Sequence, residues 1–410
     1  MKPLPRTGTA ALLEALSPHL PDDQINALLP PRRRRGRPAH FSSAQLFRVL
    51  LLALLTPAHS FNLLVELLAE HRTWRCFARL RNRRAVPDAK MLHEFRSRLA
   101  LASLRRLNAQ LLAPLLEGID PLTRTVALID ATDLPASVNA YKKTRPALTR
   151  RTERPWVDAA LKSGQSRWFI GYKKHTLRLW LPQHTPGILL VPLASWAAPA
   201  HRGEALFLEP SLRYCQRVLE WTPDIVVGDM AYINLQTQRR IREQWRVAVV
   251  TKLRPDMKLP EEFDPGPVMT CEQGQRLEWL GLHEVEQRHW FGVIDPNPLC
   301  ARCWQQSSCP REFSFAPGEH EILYGTIPLS SRVAQRLLWQ ARSWIEATQS
   351  YEKNQLGLSQ MFLNSLRLTW IMGLLADTVA LLRAHALLTH PPARPLLQEI
   401  TPRQMSLDLE

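Results

Sequence analysis

The sequence predicts a mixed α/β core that follows an all-helical N-terminal region. In the first 120 residues, apolar residues recur at helical spacing between capping residues and prolines. From Thr123 onward, short apolar runs alternate with helix-like stretches, which indicates strands and helices packed in layers. With 410 residues, the chain is long enough for two or three domains with cores of their own.

Capping residues predict where the helices of the N-terminal region begin. Ser42 or Ser43 caps a helix that ends near Pro57, an amphipathic stretch covers Phe61–Leu80, and Asp88 caps a further helix. Helices with basic edges can place arginines on DNA phosphates, and a helical bundle with a solvated basic face is the alternative. The candidate DNA-binding arginines at these edges are Arg81, Arg83 and Arg84.

The chain is strongly basic, with 53 Lys and Arg against 37 Asp and Glu and a net charge of +16. Arginine dominates the excess in the first third, and its guanidinium fork matches phosphate oxygens. Double-stranded DNA is therefore the expected partner, with an anionic membrane surface as the alternative.

The tetrapeptide Arg35-Gly36-Arg37-Pro38 resembles an AT-hook, whose arginines enter a narrow minor groove. A basic linker without sequence preference is equally compatible with these residues.

Apolar runs mark the strands of the predicted core. These runs are Val126–Ile129, Trp168–Tyr172, Ile188–Leu193, Ile225–Val227 and Val247–Val250. Prolines, glycines and four of the six cysteines interrupt this rhythm after residue 252, and a helical pattern resumes at Ser331. The predicted regions are a basic helical region (1–120), the first part of the core (121–252), an insertion with the cysteine cluster (253–330), the C-terminal helices of the core (331–390) and a flexible tail (391–410).

Three acidic residues are candidates for a metal site. Asp130 and Asp229 end apolar runs, so both are expected at one edge of a sheet, where α/β proteins bind ligands. Glu346 lies on a predicted helix, with Arg342 one turn before it and Lys353 seven residues after it on the same face. Carboxylates that lie a few ångströms apart need divalent cations if they are to stay ionised together. Hard oxygen ligands select Mg²⁺ or Mn²⁺. The pattern favours a two-metal phosphoryl-transfer site.

Asp133 is the rival to Asp130, only three residues away. We prefer Asp130 because it directly follows the apolar run. A single aspartate in such a position is often only a cap or turn residue, so the prediction depends on the combination of all three acids.

These residues resemble the DDE transposases of bacterial insertion sequences. In the subgroup with a β-rich insertion, the last acid lies in a Tyr-x2-Arg-x3-Glu-x6-Lys signature, and this chain has Trp339, Arg342, Glu346 and Lys353 at that spacing. Only Trp339 departs from the signature. Further similar segments are Asp130-Ala-Thr, Gly171-Tyr-Lys-Lys-His175, Asp229-Met-Ala-Tyr232 and, in the N-terminal region, residues 86–96. The similarity extends from about Phe41 to His385.

The resemblance implies a ribonuclease-H-like core, a mixed sheet flanked by helices with a β-rich insertion before the final Glu. It implies that the protein binds the terminal inverted repeats of its element, cleaves the DNA ends with two metal ions held by Asp130, Asp229 and Glu346, and joins the 3′-OH ends to target DNA. Residues expected to hold phosphates are Lys173, His175, Arg342 and Lys353, for which a surface salt bridge is the alternative. Three other functions are compatible with these residues: a DNA-binding protein derived from a transposase without cleavage, a zinc-bearing nucleic-acid module without a catalytic role, and a metal-dependent nuclease without strand transfer. Action on two DNA ends makes a homodimer plausible.

The insertion carries a candidate zinc site. Cys300, Cys303 and Cys309 fall within ten residues, and a Cys-x2-Cys pair is a common knuckle for tetrahedral Zn²⁺. Cys271 is the expected fourth ligand, with His283 or His289 as replacements; four reduced thiols without metal are the alternative.

No membrane span is predicted, because the apolar run from Leu374 to Leu382 is interrupted by Asp377. The N-terminus has no secretory signal pattern. We therefore expect a bacterial cytoplasmic, nucleoid-associated protein with reduced cysteines.

Overall fold

The fold is taken from a computed structural model of the chain. It describes residues 10–29, 40–137, 160–163, 168–181, 189–252, 263–264, 268–283, 285–293, 298–303, 308–316, 326–361 and 363–389. Arg35 and Arg37 of the AT-hook-like segment and the expected flexible tail lie outside these residues.

The N-terminal region is helical, as the sequence predicts. Its helices are α1 (Ala10–Leu16), α2 (Asp22–Leu28), α3 (Ser43–Leu55), α4 (Phe61–Glu70), α5 (Arg72–Phe77), α6 (Ala89–Arg98) and α7 (Leu101–Glu117). Ser42 caps α3 in a capping box with Gln45, and Asp88 Oδ1 caps α6 by accepting from the Met91 amide at 2.6 Å. The stretch predicted as one amphipathic unit from Phe61 is divided, because His71 takes an extended conformation between α4 and α5.

A mixed sheet forms the centre of the molecule. The described strands are β1 (Val126–Pro135), β2 (Ala160–Ser163), β3 (Trp168–Trp180), β4 (Leu190–Pro199), β5 (Ile225–Gly228) and β6 (Ala248–Thr251). Their order is β4-β3-β1-β5-β6, and β2 pairs with the start of β3. β3 is antiparallel to β1 and β4, whereas β1, β5 and β6 run parallel. Each of the five apolar runs predicted as a strand contributes to one.

Helices cover both faces of this sheet. The described helices of this part are α8 (Leu208–Tyr214), α9 (Leu235–Trp245), α11 (Arg332–Ser350) and α12 (Leu366–Thr389), with a 3₁₀ turn at Glu204–Phe207 and π-helical segments at Cys215–Leu219 and Tyr351–Gln355. Ala341, Trp344 and Ile345 of α11 pack on one face of β1, β5 and β6. Helix α12 packs on β4 and α7, and its apolar residues share one core with the N-terminal helices.

Helix α12 is long and apolar enough to cross a membrane, but 83% of its most apolar 18-residue window is buried inside the protein. Asp377 within it is also buried and accepts a hydrogen bond from Lys174 Nζ at 2.7 Å. This burial is typical of a core helix.

The insertion is rich in β-structure, as expected. Its described elements are β7 (Phe263–Asp264), β8 (Val268–Met269), β9 (Glu278–His283), β10 (Arg288–Gly292), the short helix α10 (Pro298–Ala301) and β11 (Glu312–Phe315). Strands β9, β10 and β11 form an antiparallel sheet around a small core that contains Met269, Leu277 and Phe291.

Candidate active site

The parallel pairing of β1, β5 and β6 stops at one level of the sheet, and the next residue along each chain segment is charged. The pairing register aligns Ile129 of β1 with Gly228 of β5, and Gly228 with Thr251 of β6. The next residues along the three strands are Asp130, Asp229 and Lys252. The sheet therefore lines up two carboxylates and one ammonium group in a row.

Strand alternation turns these charged side chains to the same face of the sheet. Leu128, Val227 and Val250 each lie two residues before one of them and pack in the apolar cluster beneath α11. Because side chains alternate with a period of two, Asp130, Asp229 and Lys252 project on the α11 side as well.

The three side chains line a pocket of about 230 Å³ between the sheet and α11. Glu346 of α11 lines the same pocket, so the structure brings together all three acids that the sequence singled out. The rest of the wall is formed by Val227, Gly228, Met230, Leu338, Ala341 and Ile345. Asp133 differs from Asp130 by an odd number of strand positions, which turns it to the opposite face.

A fourth acid, Glu204, lies beside the first two. One carboxylate oxygen each of Asp130, Asp229 and Glu204 lies within 4.8 Å of the others. Glu204 begins the 3₁₀ turn that follows β4, and Lys173 Nζ of β3 donates to its Oε1. Glu204 was not predicted as a site residue, because its only local signal is its place at the start of a helix-like stretch.

The electrostatics of this cluster fit a divalent cation. Burial is the main cause that raises the pKa of Asp130 to about 7, and the charges of Asp229 and Glu204 act in the same direction, against the Ala131 amide and Arg178. The pKa of Asp229 is also raised, by burial and then by Glu204. Adjacent carboxylates ionise together at low cost only beside a cation, and an all-oxygen donor set suits Mg²⁺ or Mn²⁺.

Hydrogen bonds fix the two aspartates. Gln349 Nε2 donates to Asp130 Oδ2, which ties α11 to β1 one helical turn after Glu346. The Ala231 amide donates to Asp229 Oδ1 at 2.9 Å, so Asp229 caps the 3₁₀ turn Met230–Tyr232. The role of Gln349 as a hydrogen-bond partner of Asp130 was not predicted from the sequence.

The helix that carries Glu346 departs from the expected regularity. Its α-helical part ends at Ser350, and Lys353 lies in the π-helical segment Tyr351–Gln355. A π turn is wider than an α turn, so the α-helical period that predicts Lys353 on the face of Glu346 does not apply from Tyr351 onward. Arg342 lies on α11 with its side chain outside the described part, and the Trp339 side chain is 63% exposed.

Lys173 and His175 are not at an exposed edge. Lys173 is buried in its ion pair with Glu204, and the fully buried His175 ring stacks on Phe207 with centroids 3.8 Å apart. The expectation that both hold DNA phosphates is not supported by this geometry, because β3 lies between β1 and β4 instead of at the sheet edge.

The predicted DNA-binding arginines of the N-terminal region are exposed. Arg81 and Arg84 lie in the turn between α5 and α6, and Arg83 there pairs with Glu70 at 2.5 Å. Both members of that pair are more than 60% exposed, so the pair is weak and leaves the guanidinium available.

The cysteines of the insertion do not form a metal cluster in the described part of the chain. Among those residues, the acidic group is the one set of three or more potential ligands within 4.8 Å of one another. Cys271, Cys300, Cys303 and Cys309 are partly buried free thiols. His289 Nδ1 accepts a hydrogen bond from Trp279 Nε1 at 3.0 Å. The zinc site stays a prediction.

Metal analysis of the purified protein under reducing conditions tests that prediction. A four-thiolate site should hold about one equivalent of Zn²⁺. Cys303→Ser should lower this content, whereas Cys76→Ser, in helix α5, should not. Less than half an equivalent in the unaltered protein would contradict the zinc site.

A buried ionic network links the strands and helices that surround the site. Lys174 Nζ donates to Glu352 Oε1 at 2.9 Å and to Asp377 Oδ1 at 2.7 Å, and Arg178 Nη2 donates to Glu352 Oε1 at 2.6 Å. All four side chains are at least 90% buried. The network joins β3, α12 and the π-helical end of α11, and it thereby fixes the helix that carries Glu346.

This network predicts a pH dependence of stability. Burial alone would raise the pKa of Glu352, but the charges of Arg178 and Lys174 hold it at about 2. Since this pKa lies below the ordinary value of 4.5, the carboxylate stabilises the fold above pH about 4.5, and the contribution falls as the pH drops toward 2. Unfolding free energies between pH 5 and pH 3 should fall less steeply for Glu352→Gln, and equal slopes would contradict the prediction.

The family comparison adds to this geometry. Residues 5–98 match a family model described as Transposase domain (DUF772). This transposase domain includes α1 to α6. The match confirms the resemblance to transposases of insertion sequences, and it does not extend to the segments that carry Asp130, Asp229 and Glu346. It supports a DNA-processing role for the chain. No curated protein matches the chain.

Proposed function

We propose that this protein is a DNA transposase that cleaves the ends of an insertion sequence and joins them to target DNA. The observation that carries the proposal is the pocket in which carboxylates from β1, β5 and α11 meet, together with the transposase domain. The strand order and directions of the central sheet support a ribonuclease-H-like core.

Asp130, Asp229 and Glu346 are the proposed ligands of two Mg²⁺ or Mn²⁺ ions. When bound, the ions would supply Lewis-acid stabilisation of the attacking and leaving oxygens of a phosphodiester. Gln349 holds Asp130, and the Ala231 amide holds Asp229, so both carboxylates are oriented before DNA arrives. Leu338, Ala341 and Ile345 form an apolar wall of the pocket on the helix side.

The exposed arginines between α5 and α6 are proposed to bind DNA phosphates outside the pocket. Arg81, Arg83 and Arg84 lie in one turn of the transposase domain. Such contacts position DNA without reading its sequence, which leaves recognition of the inverted repeats to other parts of the region.

A strand-transfer assay tests the proposal. The full chain is incubated with Mg²⁺, a DNA fragment carrying the inverted terminus that flanks its gene, and a supercoiled target plasmid. We expect covalent joining of the fragment to the plasmid, with matched termini and a short target duplication in the products. Cutting without joining would indicate a nuclease, and binding alone a DNA-binding protein without cleavage; either result contradicts the proposal.

Lys252 is expected to contact the DNA phosphate in the pocket. It follows β6 and lines the pocket with the acids, and its charge lowers the pKa of Asp229. A hydrogen bond to a charged group contributes about 1.5–3 kcal/mol, so Lys252→Ala should slow cleavage about tenfold to a hundredfold. Lys252→Arg should restore part of the rate.

Arg240→Ala is the control for Lys252→Ala, because it removes the same charge from the surface of α9, where Arg240 pairs with Glu209 at 3.0 Å. Cleavage rates are measured on saturating DNA, so that weaker general attraction does not contribute. Equal slowing of cleavage by both changes would show that Lys252 acts only through the net charge of the protein, and it would contradict the predicted contact with the DNA phosphate.

A further inference from the structure

We infer that Glu204 is a further carboxylate ligand of the divalent metal site and shares one cation position with Asp130 and Asp229. This inference rests on the proposed function and adds a residue to the site that the family resemblance does not supply. Glu346 would then serve the second cation position from α11.

The distances between the carboxylates favour one cation held by Asp130, Asp229 and Glu204 and a second cation held by Glu346. Oxygen ligands lie about 2.0–2.6 Å from Mg²⁺ or Ca²⁺, so oxygens that share one ion are roughly 4–5 Å apart at most. One carboxylate oxygen each of Asp130, Asp229 and Glu204 lies within 4.8 Å of the others, which is inside this range. Glu346 lines the same pocket but does not belong to that group.

The ion pair with Lys173 holds Glu204 in place and sets the charge of the cluster. Lys173 Nζ engages Oε1 of Glu204, and a carboxylate has a second oxygen that can bind a cation. The lysine side chain is 6% exposed and that of Glu204 16%, so little water screens the group. Three carboxylates and one ammonium group carry a net charge of −2, which a divalent cation neutralises.

Tyr232 is the second observation that points to a ligand here. Its side chain is fully buried, and its hydroxyl has no hydrogen-bond partner in the described part of the chain. The turn Met230–Tyr232 packs against the 3₁₀ turn that Glu204 begins, which places Tyr232 beside the carboxylate cluster. Burial raises the pKa of Tyr232, and the charges of Glu204, Asp130 and Asp229 act in the same direction. Buried hydroxyl groups are normally hydrogen-bonded, and an ion with its water shell would supply the acceptor that this hydroxyl lacks.

Titration of the full chain with Mn²⁺ in the absence of DNA tests the inference. Free Mn²⁺ is measured by its electron paramagnetic resonance signal, which gives affinities without any activity assay. Glu204→Gln should weaken the tighter site about tenfold or more. The matched control is Glu209→Gln, one turn further along, where the carboxylate pairs with Arg213 and Arg240 outside the cluster.

A second variant separates metal binding from folding. Glu204→Gln leaves the buried Lys173 without this partner, which can destabilise the protein. The double change Lys173→Met with Glu204→Gln removes both charges and should restore the melting temperature. It should still bind Mn²⁺ about tenfold more weakly than the unaltered protein.

The titration also distinguishes this inference from the proposed function. If Asp130→Asn and Asp229→Asn weaken Mn²⁺ binding but Glu204→Gln and the double variant do not, Glu204 is only a salt-bridge partner and the inference is overturned. If the unaltered protein does not bind Mn²⁺, or binds it equally well after either aspartate is changed, the proposed metal-dependent function itself fails.

Discussion

Asp130→Asn should reduce DNA cleavage about a thousandfold or more, because it removes a metal ligand that stabilises transition-state charge by several kcal/mol. The change keeps the size of the side chain and preserves an oxygen that can accept from Gln349. Asp229→Asn should have a similar effect. DNA binding should be unchanged in both variants, since the exposed arginines of the transposase domain lie outside the pocket.

Asp133→Asn is the matched control for Asp130→Asn. It makes the same chemical change on the same strand, but strand alternation turns Asp133 away from the pocket. Single-turnover cleavage of an end-labelled fragment and a gel-shift assay measure the two properties. Cleavage that survives in Asp130→Asn, or that is lost only in Asp133→Asn, would remove Asp130 from the proposed site.

Glu352→Gln should lower the free energy of unfolding by about 3–5 kcal/mol, since it breaks a buried ionic network and leaves Arg178 without its carboxylate partner. Asp377 still accepts from Lys174, so that part of the network remains. Urea unfolding followed by circular dichroism measures the loss. Because Glu352 joins the end of α11 to β3, cleavage at temperatures well below the transition should fall as well.

Glu346→Gln, on the same helix, is the control for this change in stability. Glu346 is exposed in the pocket, so its substitution should alter the free energy of unfolding by no more than about 0.5 kcal/mol. A loss below about 1 kcal/mol for Glu352→Gln would contradict a structural role for the network.

Local patterns in the sequence determined most of the elements. Ser42 and Asp88 are caps because a short polar side chain can accept from the third amide of a helix, a property of the local chain alone. The apolar runs before Asp130 and Asp229 form strands because β-branched and other apolar residues favour a buried extended chain. The family resemblance then linked these acids to Glu346, which lines their pocket in the structure.

Only the tertiary structure decided how these residues meet. Pairing register aligns Lys252 with the two aspartates, and the return of the chain after β4 brings Glu204 to them; neither depends on spacing along the sequence. The same is true of the buried network, in which Glu352 meets Lys174 and Arg178 from more than 170 residues away. The α-helical period predicted Lys353 on the face of Glu346, but Lys353 lies in a π-helical segment, where that period does not hold. The physical reason is that local propensity fixes each element, whereas strand register, helix docking and long-range charge pairing are properties of the folded chain as a whole.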